Sequence, residues 1–197
     1  MKQILVNYNT NLEISGKDPI NTTEVRKLAD EARRNKLAVL EGALTVENLL
    51  SKMISHFFFS QHDDRKVIFD EMVVNSDWCS FVAKRKLLIS IINKEKLLEG
   101  SQKERFETEL RKVMSLRNAF AHGKLSSDGN AVWLSYFDGN PHKQELTDQY
   151  LTDAESKLQS AWDCCIELAQ KWGAIKSVEA IPMNCTIPSH RKGFGKL

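Results

Sequence analysis

The chain has 197 residues, a length suited to one compact domain whose hydrophobic core is large enough to need neither disulfides nor a structural metal. Lys and Arg total 28 against 26 Asp and Glu, a formal charge of +2, which excludes a chain-wide electrostatic argument for nucleic-acid or membrane binding and confines any such site to a local patch. The four cysteines, Cys79, Cys164, Cys165 and Cys185, form no CxxC pair and no zinc-ligand spacing with histidine, so they read as reduced, packed thiols of a cytoplasmic protein.

Met1 to Asn7 lacks the apolar stretch of a signal peptide, and no segment approaches the roughly 18 apolar residues of a membrane span, so neither secretion nor insertion is expected. Residues 1–21 read as an N-terminal extension ending in the turn sequence Gly16-Lys17-Asp18-Pro19. Asn21-Thr22-Thr23-Glu24 then offers side-chain oxygens to cap a long helix from Val25 to about Phe59, in which Val39, Ala43, Val46, Leu50, Met53 and Phe57 recur at steps of three and four. Gly42 weakens this helix or admits another backbone.

Residues 60–76 are polar at first and then carry Val67 to Val74, read as a short helix although periodicity does not distinguish it from an extended segment. Ser76-Asp77 is expected to cap a second long helix running to about Leu98, with Trp78, Phe81, Val82, Leu88, Ile89 and Ile92 inward and Gly100 closing it. Ser101-Gln102-Lys103-Glu104 matches a capping box and opens a third helix that ends at Ala121 or His122, before Gly123. The loop Leu125 to Asn130 leads to a hairpin of Ala131 to Phe137, the turn Asp138-Gly139-Asn140-Pro141 and His142 to Leu146. Thr147-Asp148 caps a last helix with an apolar seam of Leu151, Ala154, Leu158, Ala161, Cys165, Leu168 and Trp172, closed by Gly173. Residues 174–197, with the basic end Ser189-His190-Arg191-Lys192-Gly193, read as a tail. The expected fold is therefore mainly all-α, a bundle of about four to five helices over 22–173 with a small accessory β-hairpin near 131–146.

Charges inside apolar stripes are the informative breaks in such a pattern. At 100° per residue, Arg117 falls near the middle of the arc of Phe106, Leu110, Val113, Phe120 and Ala121, and Glu47 falls among Leu40, Ala43, Leu50, Ile54 and Phe58. A buried arginine and carboxylate offset much of their desolvation cost when they pair, so Glu47 is expected to meet Arg117, with Glu41 a weaker candidate; the alternative is that both side chains reach solvent at an interhelical edge. Asn118 and His122, four residues apart, stack on a neighbouring face, where Asn118 can orient the imidazole of the last helical turn, and Lys124 follows. A fixed guanidinium, an imidazole and an amide together suit a phosphate ester, the arginine offsetting charge that accumulates on phosphorus while the histidine moves protons.

The stretch Ser115-Leu116-Arg117-Asn118-Ala119-Phe120-Ala121-His122-Gly123 resembles the signature of the HEPN superfamily in its RNxxxH form, and the helix order, closing glycine, hairpin and last amphipathic helix resemble that family's bundle over roughly 22–173. The resemblance implies a metal-independent endoribonuclease, possessing no cofactor, in which two protomers bring their motifs to one cleft. It assigns Arg117 and His122 as catalytic and Asn118 and Glu47 as supporting; Lys124, the basic residue just beyond the helix, stands beside them as a weak substrate-contact candidate. It also implies RNA as substrate, a homodimer, and an antitoxin or regulatory protein as a further partner, in defence or toxin–antitoxin growth control. Some toxin members carry a tyrosine two residues after the histidine, where this chain has Lys124, so the resemblance departs from that subgroup. Non-catalytic members imply the alternative of a regulatory or protein/RNA-interaction module. His56, His62, His122, His142 and His190 form no HExxH set, and no Walker loop or GxGxxG is present, so metal hydrolysis and nucleotide-cofactor use are not expected. The Phe57-Phe58-Phe59 run reads as core, with a dimer contact as its second reading.

Overall fold

A computed structural model describes residues 13–14, 22–59, 63–127 and 131–174, and the 174–197 tail beyond Ala174, His62, Cys185 and the expected cap residue Asn21 lie outside them. The described chain is mainly helical: α1 Thr22–Phe58, α2 Arg65–Phe69, α3 Phe81–Glu95, α4 Gly100–His122 and α5 Asp148–Lys171. Between α4 and α5 the chain forms strands β2 Lys124–Ser127, β3 Val132–Phe137 and β4 Pro141–Glu145, and the two-residue β1 Glu13–Ile14 pairs parallel to β2. No helix among the described residues is long and apolar enough to cross a membrane.

α1 is the axis of the bundle, packing against α3, α4 and α5. Its stripe Val39, Ala43, Val46, Leu50 and Met53 is buried, as the three-and-four spacing requires when one helix face turns inward. α5 presents Leu151, Ala154, Leu158, Ala161, Cys165 and Leu168 to α1 and α4, with Trp172 half-buried at its end. Its start is held as the sequence suggests, the Thr147 hydroxyl accepting from the Tyr150 N–H at 3.2 Å. The segment after α1 forms α2, which continues into one wide π-type turn over Asp70–Val74 and is tied back to α1 by a hydrogen bond from Ser55 Oγ to Asp70 Oδ1.

Three boundaries differ from expectation. α3 begins at Phe81, because Ser80, not Ser76-Asp77, takes the extended cap conformation and accepts from the Ala83 N–H at 3.4 Å; Trp78 is thereby left outside the helix and 69% exposed. α3 then stops at Glu95, where Lys96 adopts a left-handed φ of 52°, while Gly100, with φ 51°, turns the chain into α4 instead of closing α3. The capping box at Ser101 does not form, since Ser101 already lies in the first turn and the extended cap residue Glu99 makes no side-chain bond.

Leu125 to Ser127, the first part of the expected loop, instead forms a strand with Lys124. It pairs antiparallel with β3 through Lys124↔Ser135 and Ser126↔Trp133, and β3 pairs with β4 through Trp133↔Glu145 and Phe137↔Pro141, giving a three-stranded meander in place of a hairpin. Because side chains alternate along a strand, Leu125 and Leu134 share the inward face, and both are buried in the common core beside α4. The sheet stays small beside the helices, and Leu125 and Leu134 are the side chains by which it joins their core.

Candidate functional site

The last turn of α4 carries the Arg-Asn-His motif. Val113, Leu116, Ala119 and Phe120 form the buried arc of this helix, and Arg117 lies toward one edge of it, half-buried. Asn118 and His122 project from the opposite, exposed side. A step of five positions along an ideal helix, with four residues between, sets the Cα atoms of Arg117 and His122 about 9 Å apart and their directions about 140° apart around the axis. Both side chains leave the helix where solvent reaches them.

Arg117 Nη1 donates to Asn118 Oδ1 at 3.4 Å, so the amide steadies the guanidinium, whereas the sequence had Asn118 orienting the imidazole. The imidazole of His122 makes no hydrogen bond with any described residue. The expected Glu47–Arg117 pair does not form. Glu47 Oε1 instead accepts from Lys84 Nζ at 2.8 Å, and the two side chains are 13% and 6% exposed, buried between α1 and α3. Glu41 stays on the exposed side of α1. The physical reason is placement: an inward carboxylate on α1 is met by whichever inward cation the neighbouring helix sets opposite it, and α3 supplies Lys84.

Two residues that the motif did not suggest shape this helix end. Lys36 of α1 donates from Nζ to the carbonyl oxygen of Gly123 at 3.3 Å, placing a cation at the negative end of α4. Burial pushes the Lys36 ammonium below the usual lysine range. Gly123 itself is buried, its N–H closes the helix on Ala119 O at 2.8 Å, and a Cβ built there would stand 2.6 Å from Leu134 Cδ1 and inside contact distance of Ala119 O. Glycine is therefore needed for close approach of helix end and sheet, and this fit fixes where His122 emerges. Lys124, exposed, opens β2 directly after the turn.

Lys36 lies 87 residues from Gly123 in sequence, and no local pattern marks the contact. Lys84 was legible in principle, as a charge inside the apolar stripe of Phe81, Leu88 and Ile92. Elsewhere His56 packs edge-on against Trp172 at 5.6 Å between centroids, and His142 stacks on Tyr136 at 5.0 Å. Among the described residues no three His, Cys, Asp or Glu side chains are grouped to hold a metal ion.

No protein-family model, curated protein or solved structure gives a significant match to this chain.

Proposed function

We propose that the chain is a metal-independent endoribonuclease of the HEPN type, acting as a homodimer in which two α4 ends share a cleft. The observation that carries this reading is the RNxxxH motif at an accessible helix end: Arg117 is half-buried and held by Asn118, His122 is exposed, and Lys36 and Lys124 add positive charge around the closing turn.

In the proposed reaction the ribose 2′-oxygen attacks phosphorus, the new O–P bond forms as the bond from phosphorus to the 5′-oxygen breaks, and the products are a 2′,3′-cyclic phosphate and a free 5′-hydroxyl. His122 takes the 2′-hydroxyl proton or delivers one to the leaving oxygen, with the matching histidine of the second copy free to serve the other step. Arg117 and the Lys36 ammonium oppose the charge gathering on the non-bridging oxygens. The 140° divergence of Arg117 and His122 within one protomer favours a shared cleft, since a second copy can present the complementary group to the same phosphate.

The test incubates purified protein with mixed RNA, with and without EDTA, beside Arg117→Ala and His122→Ala. Cleavage that resists chelator, leaves cyclic phosphate ends and is lost in both variants supports the reading; full activity in either variant rejects it. A strict monomer by light scattering rejects the shared cleft.

The second reading, a non-catalytic interaction module, is favoured by the exposed apolar side chains of Val67, Ile68, Met72 and Trp78, which suit a protein partner such as an antitoxin or regulator. Absence of cleavage with retained binding of a cognate protein selects it.

A further inference from the structure

The meander turns Leu125 and Leu134 to the core, so its other face looks outward. Strand register orders that face in rows. In the first, Trp133 stands between Ser126 and Glu145; in the second, Ser135 stands between Lys124 and Lys143; in the third, Phe137 stands beside Pro141. Successive rows are about 6.6–6.8 Å apart along the strand. Phe137 is 75% exposed, Trp133 is half-buried, and Lys143 Nζ lies 4.9 Å from the Trp133 ring centroid.

Phe137, held in solvent on a rigid strand, contributes little to folding, because burial of apolar area is what stabilises, and Trp133, outside the core cluster, keeps part of its ring on the same face. Their chemistry suits a ligand with flat faces and negative links. Trp133 and Phe137 give two stacking surfaces, and the row between them is cationic on both flanks, with hydroxyls from Ser126 and Ser135. This alternation complements a nucleic-acid strand whose bases are splayed from their own stack. A duplex keeps its bases covered and offers nothing to the rings.

Position adds to chemistry. Lys124 follows His122 by two residues, and the antiparallel register carries β3 from Trp133 through Ser135 beside Lys124 to Phe137, at the sheet end where α4 delivers His122. Glu145 sits at the opposite end, beside Trp133, so the face is most cationic toward the motif.

We infer that this outer sheet face is a stacking platform for single-stranded RNA, which lays bases on Trp133 and Phe137 and phosphates on Lys124 and Lys143 and leads the strand to His122. The inference rests on the ribonuclease reading and names how its substrate is held.

The experiment measures fluorescence anisotropy of a labelled single-stranded 2′-O-methyl oligoribonucleotide, which lacks the internal nucleophile and stays intact, against full-length protein, with a duplex of the same sequence alongside. Trp133→Ala and Phe137→Ala are each expected to weaken binding by about fivefold or more, the low end of the loss for one stacked base. Trp133→Phe keeps most of the affinity, and the duplex binds more weakly than the single strand. Lys86→Ala, on the exposed side of α3, serves as the control for charge alone and changes affinity less than about twofold, as befits one screened surface cation. Circular-dichroism melting of each variant separates lost contacts from lost fold. If Trp133→Ala and Phe137→Ala bind as tightly as the parent while RNA cleavage persists, the platform is overturned and the ribonuclease reading stands. Binding that depends on both rings without any cleavage supports the platform and counts against the nuclease. A parent protein that neither binds nor cuts overturns both.

Discussion

Lys84 Nζ donates to Glu47 Oε1 across the α1–α3 contact, and this buried pair leaves Arg117, at the end of α4, with an amide neighbour in place of a carboxylate. Charge pairing in the core and charge display at the helix end are thereby separated. The guanidinium keeps most of its hydrogen-bonding capacity for a ligand.

Removal of one member of the buried pair strands the other in a low-dielectric setting. Lys84→Met is expected to cost about 3 kcal/mol, whereas the double change Glu47→Leu with Lys84→Met recovers most of that, because the desolvation penalty leaves with the charges. Urea unfolding of the parent, the single and the double variants reads the difference. Equal losses in single and double variants would show that packing, not pairing, dominates there.

Gly123→Ala forces a methyl group against Ala119 O and Leu134 Cδ1, the latter at 2.6 Å, where neither a helix carbonyl nor a core leucine yields easily. The expected cost is about 1–3 kcal/mol, read as a fall in Tm of roughly 2–4 °C per kcal/mol for a chain of this size. A thermal melt checks it, and an unchanged Tm would mean that the sheet does not bear on the helix end.

Tyr150 is half-buried beside Phe120, and burial first, then the neighbouring Tyr136, pushes its phenol up from 10.0 to about 12. A phenol raised in the folded state is neutral there while its unfolded counterpart ionises. The stability it contributes is therefore complete below pH 10 and is lost as pH rises toward 12. Alkaline titration followed by tyrosinate absorbance should show a late phase that Tyr150→Phe removes. A titration identical in the variant would contradict the buried placement.

Cys79, Cys164 and Cys165 are buried free thiols, and burial pushes each of them up from the usual thiol value. Thiolate is the reactive form, so these three are expected to react slowly with a disulfide reagent at pH 8 and rapidly once the chain is unfolded in guanidinium. Fast labelling of three or more thiols in the folded protein would rule out the packing described for α5 and for the turn before α3.

Much of the fold was legible because helices are specified locally. The stripe from Val39 to Met53, the seam from Leu151 to Leu168 and the Thr147 cap each depend on residues three or four apart, and each stands as read. Boundaries were less secure where two caps compete: Ser76 and Ser80 are both able to start a helix, and only the chain's path after the π-type turn selects Ser80. β2 was missed because four residues with two serines carry little strand signal of their own, and their pairing partner β3 supplies it.

The candidate site divides in the same way. That Arg117, Asn118 and His122 share one helix end followed by glycine is a property of the sequence, since a helix of known pitch places each side chain by its number alone. Which side chains meet them is not. Helical projection gave Glu47 an inward direction and pointed to Arg117 as its neighbour, but two cations on neighbouring helices, Lys84 and Arg117, were available to one carboxylate. Helix packing decided between residues 37 positions apart, as it brought Lys36 to the Gly123 carbonyl over 87. Direction around a helix is set by local bond rotations, whereas the partner depends on how whole helices pack, a sum over the entire core that no single stretch of chain contains.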